Sequence, residues 1–181
     1  MGLPTDNAAL AELGYYPLEY AYLPFDSWRK GMLPDGDPVR KGQGFVQNFK
    51  IVPLDDERLA QSLAKYKDEA LTRLNDAWLE AEQHGKLESS AGFAIDANER
   101  ANRDIAGLIT MLEQTGETQT AFCGADNVMR PVTLDQLRAM RLEVIRYGQE
   151  LYARKWAMRT SIENAADFAD VDAVKITFAE A

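Results

Sequence analysis

His84 is the only histidine of this 181-residue chain and Cys123 its only cysteine. The groups that most often act as bases, nucleophiles and soft metal ligands therefore occur once each. A catalytic or zinc site needs them in sets, a nucleophile beside a base or three to four converging ligands. No His–His pair or Cys–His cluster can form. His84 precedes Gly85, the pattern of a helix C-terminus, where an imidazole suits the helix dipole. Cys123 lies in a strand-like run with no motif that would activate a thiolate, and reads as a small packed hydrophobe. Gly42-Gln43-Gly44 opens like a dinucleotide loop, but Gln47 holds the third glycine's place and no helix follows. The many carboxylates show neither an acid–base pair nor the repeated Asp spacing of a calcium loop. Asp126-Asn127 reads as a turn. The expectation is a protein that is not an enzyme and takes no cofactor and no metal.

Aromatic side chains offer a different chemistry, that of contact. Tyr15, Tyr16, Tyr20, Tyr22, Phe25 and Trp28 fall within fourteen residues. Tyrosine and tryptophan combine a large apolar area with a polar handle, which suits interfaces. Pro17 and Pro24 fit an edge strand, the element that accepts another chain by strand addition. These six residues are the candidate partner-binding set. The same pattern also fits a strand packed inward over a helix, and the two readings are compatible.

The elements that would position these residues follow from periodicity. Tyr16, Leu18, Tyr20 and Tyr22 alternate at period two, as do Phe45, Gln47, Phe49 and Ile51, with a turn at Pro34-Asp35-Gly36-Asp37-Pro38 between them. A weak helical turn over 7–13 precedes them. Residues 55–84 read as one long helix capped by Asp55, with a stripe of Leu59, Leu63, Tyr66, Ala70, Leu74, Ala77, Trp78 and Ala81. A hairpin-like stretch spans 86–95. Asp96 and Glu99 have capping-box spacing before a helix over 97–115 that Gly116 ends. Runs at 118–123 and 128–132 predict a hairpin. Thr133 and Gln136 form a second capping box opening a helix over 134–162, whose Leu151, Tyr152 and Trp156 predict a buried stripe, with Trp156 structural. The fold class is α+β, mainly α: two long helices and one medium helix, short β-hairpins and a β-rich N-terminal segment. The expected division is an aromatic segment 1–54 and a helical domain 55–181. Each long helix would span about 45 Å at 1.5 Å per residue, so the bundle is expected to self-associate.

The run from Asp96 through Arg100, the stretch ADNVMRPVTLDQL at 125–137 and the helix ending Tyr152-Ala153-Arg154-Lys155-Trp156-Ala157 resemble a phage-encoded domain of unknown function. It is found in small proteins encoded beside tail-fibre genes of tailed bacteriophages and prophages. The likeness covers roughly residues 57–170, and the N-terminal stretch resembles those proteins' short β-rich leader more loosely. The resemblance implies a tail-fibre assembly chaperone whose partner is the fibre protein. The runner-up is a permanent subunit of the tail, baseplate or fibre tip, and a host-directed binding module is a third alternative.

Charge and hydropathy set the remaining bounds. A net charge of −9 argues against nucleic acid, whose partners usually present a basic face. Arg138, Arg141, Arg146, Arg154, Lys155 and Arg159 concentrate on the last long helix, but Glu143, Glu150 and Glu163 interleave with them, as on a salt-bridged solvent face. No run reaches the length of a membrane span. The first residues lack the basic and apolar regions of a secretion signal. The expected location is the cytoplasm of the bacterial host, or the virion tail.

Overall fold

Residue types at helix ends set most of the element boundaries. The computed structural model describes residues 7–178; Met1–Asp6 and Ala179–Ala181 lie outside the described residues. The chain divides into two compact units, Met1–Tyr66 and Lys67–Ala181. The fold class is α+β.

The first unit opens with α1 (Asn7–Glu12) and continues into β1 (Leu18–Ala21), β2 (Lys30–Pro34), β3 (Val39–Lys41) and β4 (Gly44–Pro53). β4 is the organising strand. β1 pairs with it in parallel, Leu18 opposite Phe45, while β3 and β2 pair with it antiparallel, Val39 opposite Val46 and Pro34 opposite Phe49. Only the β1 and β4 patterns were legible as strands. β2 reads Lys30-Gly31-Met32-Leu33-Pro34, with no clean alternation, and is extended because β4 offers it a ladder. Gly44 has to be glycine for a steric reason: a Cβ there would sit 2.8 Å from the Pro17 carbonyl oxygen, which accepts the Phe45 N–H at 2.9 Å. Helix α2 (Asp56–His84) begins in this unit. The Asp55 carboxylate accepts the Arg58 N–H at 2.8 Å, as an N-cap should. Tyr66 packs edge-on to Trp28 with centroids 5.1 Å apart, and the Ser62 hydroxyl donates to the Trp28 carbonyl at 2.6 Å.

The second unit holds the rest of α2, the hairpin β5 (Lys86–Glu88) and β6 (Ala94–Asp96), α3 (Glu99–Thr115), the hairpin β7 (Gln119–Cys123) and β8 (Met129–Thr133), α4 (Leu134–Asn164) and α5 (Phe168–Ala173). Its core joins both hairpins to α3 and α4 through Phe93, Ile95, Ile105, Ile109, Leu112, Val132, Leu137, Met140 and Val144. α2 runs antiparallel to α4 beside this core. The Lys67 ammonium donates to the Glu163 carbonyl at 3.0 Å, Lys155 donates to Asn75 at 2.9 Å, and Trp78 meets Tyr152 edge-on at 6.4 Å. Gly85 lets α2 end against α4, since a Cβ there would lie 2.6 Å from the Tyr147 hydroxyl.

Local signals fared unevenly. Thr133 and Gln136 form the reciprocal capping box that their spacing predicts, and Gly116 caps α3 at φ 76°. The other capping box does not form. Asp96 is drawn into the ladder opposite Lys86, and Asn98 caps α3 instead, accepting the Ala101 N–H at 2.9 Å. Cys123 is exposed rather than packed, because it ends β7 at the hairpin turn. Trp156 corrects a further expectation. α4 turns Leu137, Met140, Val144, Leu151 and Ile162 inward, which leaves Trp156 47% exposed. It meets Tyr152 edge-on at 5.9 Å, and the Arg159 guanidinium lies 5.4 Å from its ring centroid. Trp156→Ala should therefore cost only about 1 kcal/mol, the scale of an aromatic pair, and shift the melting midpoint by no more than about 5 °C. A thermal melt falling by 10 °C or more would show that the indole carries core energy after all.

Candidate partner-binding surface

Backbone pairing decides which aromatics share a face. Cα partners in a ladder point their side chains to the same side. With Leu18 opposite Phe45 and Tyr20 opposite Gln47, the face that carries Leu18, Tyr20 and Tyr22 also carries Phe45, Gln47 and Phe49. Tyr20 and Tyr22 stack at 5.7 Å, and Tyr22 stacks on Phe49 at 5.2 Å. Tyr16 meets Phe45 edge-on at 5.9 Å, with the Arg40 guanidinium 5.9 Å from the Tyr16 centroid. Beneath this cluster Gln47 is buried, its amide donating to the Gly36 carbonyl at 3.0 Å and the Asn48 carbonyl at 2.8 Å. A satisfied polar anchor under a ring cluster holds that part of β4 in one register.

Of the six candidate residues, Tyr15, Tyr16, Tyr20 and Tyr22 are exposed, Tyr20 at 53% and Tyr22 at 66%. Phe25 and Trp28 are half-buried; Trp28 is held by Tyr66 and Ser62 of its own unit. The structure thus separates four exposed rings from two half-buried ones, and it sets the half-buried Phe45 and Phe49 and the exposed Arg40 beside the exposed tyrosines. All four residues of β1 are exposed, and β1 is the terminal strand of its sheet. Among the described residues no strand pairs with its outer edge, and such an edge can take an added strand. The signal for Phe49 was in the sequence, in the alternation from Phe45 to Ile51, but its partnership with Tyr22 was not.

The ionisable groups nearest the turns make local hydrogen bonds and ion pairs. His84 ends α2 and lies 3.8 Å from the Glu80 carboxylate one turn earlier. The Asp126 carboxylate takes bonds from both Arg130 nitrogens, at 2.8 and 2.5 Å, and from the Val128 N–H at 3.2 Å. The Arg130 bonds hold it well below the usual carboxylate range. They clasp a turn in which Asn127 takes φ 60°, and the Arg130 guanidinium lies 4.8 Å over the Phe93 ring. Burial would raise the Glu143 carboxyl, yet donors from Ser90 and Ser89 outweigh it and lower it. This carboxylate accepts the Ser89 hydroxyl at 2.9 Å and the Ser90 N–H at 3.2 Å, which closes the β5–β6 turn. Among the described residues no three His, Cys, Asp or Glu side chains converge as metal ligands, and no helix is long and apolar enough to cross a membrane. A cleft of about 630 Å³ is lined by Ala77, Glu80, His84, Tyr147 and Phe178, so the exposed Glu80–His84 pair stands at its edge.

Residues 65–177 match a family described as a domain of unknown function, DUF4376. That span is more than half of the chain. The chain belongs to the DUF4376 family. No curated protein and no solved structure matches it. The DUF4376 segment nearly coincides with the second compact unit, so it holds the two hairpins, α3, α4 and α5. The aromatic sheet lies ahead of it in sequence.

Proposed function

We infer that this protein is a binding protein without catalytic activity, acting as an assembly chaperone for a tail fibre of a tailed bacteriophage or prophage. The fibre association is what the sequence resemblance implies; the mode of action comes from the sheet. The observation that carries the reading is the edge strand β1, exposed on both faces, beside the stacked Tyr20, Tyr22 and Phe49. An open strand edge next to an aromatic face suits a folding chain that still exposes an unpaired strand and apolar side chains. The edge supplies backbone hydrogen bonds, and the rings supply sequence-tolerant contact area. Such a contact would shield the fibre during folding and then release it in the host cytoplasm.

Co-expression with a neighbouring fibre gene should give a complex that co-purifies, while purified particles should contain the protein only in trace amounts. Fixed stoichiometry in the particle would instead make it a permanent subunit of the tail, baseplate or fibre tip. A failure to capture any fibre, together with binding to host cells, would replace both readings with a host-directed binding module.

A further inference from the structure

α4 carries a second apolar stripe, turned partly away from its buried one, with Tyr152 at the flank where it meets Trp78 of α2. Leu142, Ile145, Gln149, Tyr152 and Trp156 follow one another at spacings of 3, 4, 3 and 4 residues. That is the seven-residue repeat of a helix–helix seam. All five are exposed, the four apolar ones at 56, 38, 51 and 47% in chain order. The inner stripe of Leu137, Met140, Val144 and Leu151 faces this unit's own core, so α4 is apolar on two sides. Gly148 flanks the outer stripe, and a Cβ there would meet nothing within 4 Å. Among the described residues no contact requires that glycine, and it leaves room for a second helix to approach closely.

We propose that this stripe is a dimer interface with a second copy of the same chain, the two α4 helices packing antiparallel about a two-fold axis at Gln149. The proposal is independent of the fibre reading. A two-fold interface needs a patch that complements itself, and the stripe is nearly symmetric about its centre. Antiparallel pairing sets Leu142 against the second copy's Trp156, Ile145 against its Tyr152, and Gln149 against its counterpart, so that small meets large and amide meets amide. The contact would extend about 21 Å along the helix at 1.5 Å per residue.

The area fits a modest dimer. Aromatic side chains offer about 150–250 Å² each, so these partly exposed residues leave on the order of 400 Å² of apolar surface per copy. With the polar rim, two copies reach the lower edge of the roughly 1,200–2,000 Å² of a stable interface. Association in the micromolar range follows. Several charges of α4 are engaged at home. Arg138 pairs with Glu113 at 2.7 Å and Arg159 with Glu163 at 2.8 Å, while Lys155 bonds Asn75 and lies 3.5 Å from the Trp78 ring centroid. Arg141 comes nearest to the second copy's Lys155, so screening by salt should tighten the dimer rather than loosen it.

Light scattering of the full chain from 1 to 300 µM, at low and high salt, tests this. The expected result is a monomer–dimer equilibrium that tightens with salt, and at least a tenfold weaker dimer for Leu142→Ser/Trp156→Ser. Because that variant could lose stability, a second one carries the geometry. Gln149→Cys in a Cys123→Ser background should form an interchain disulfide under mild oxidation, whereas Glu150→Cys in the same background should not. In a mixture of Leu142→Cys and Trp156→Cys chains, also lacking Cys123, the heterodimer should cross-link in preference to either homodimer. A chain monomeric throughout, a trimer, or cross-linking indifferent to position would overturn the interface.

Discussion

On the proposed fibre contact, Tyr20→Ser/Tyr22→Ser is expected to bind the fibre at least tenfold more weakly than the native chain while its far-ultraviolet circular dichroism stays essentially unchanged. Interface aromatics often carry about 2 kcal/mol or more each, and each 1.4 kcal/mol is a factor of ten in affinity. The fold should tolerate the change because both rings stand out from β1, at 53% and 66% exposure. Removing them opens no enclosed cavity. What is lost within the chain is their stacking on each other and on Phe49, worth about 1 kcal/mol per pair. The deep anchor of the strand, Gln47 with its two amide bonds, is untouched. Pull-down and circular dichroism on the same preparation decide the matter. An intact fold with undiminished capture would remove β1 as the contact and move attention to the turn at Asp126 and Asn127. An unfolded double variant would make the rings structural.

Ile105→Ala should have the opposite profile, a large loss of stability. Ile105 is fully buried on α3 in the cluster that also holds Ile95, Val132, Leu137 and Met140. Truncation of such a side chain removes its transfer energy and leaves a cavity that neighbours on two hairpins and α4 cannot fill. The expected cost is about 2–5 kcal/mol, a fall of roughly 10 °C or more in the melting midpoint of a unit of this size. Urea unfolding should show the midpoint reduced with the slope retained. A variant as stable as the native chain would mean that the core is not organised around α3. Trp156→Ala serves as the internal comparison, since a larger side chain is removed there at a smaller cost.

That contrast marks where sequence reasoning stops. The helix ends at Asp55, Gly116 and Thr133 were legible because each is decided by groups within three or four residues. The stripe of α2 was legible too, with Ala70 and Leu74 buried where the period places them. Asp96 misled because its spacing to Glu99 is a sound local signal, yet pairing with Lys86 claims its backbone first. β2 and β3 had no local pattern, since their extended form depends on β4 being alongside.

For the candidate surfaces, residue types and period alone determined that the chain has an aromatic strand and an apolar last helix. Only the tertiary structure decided which side of each is covered. β1 lies at the sheet edge, so Tyr20 and Tyr22 are presented while Trp28 is retained against Tyr66. α4 has apolar residues on two sides, and packing on α3 and the hairpins fills the side with Leu137 and Met140, leaving Tyr152 and Trp156 outside. A cap is settled by atoms a few residues apart along the chain. Burial is settled by distant segments whose arrival no local pattern records.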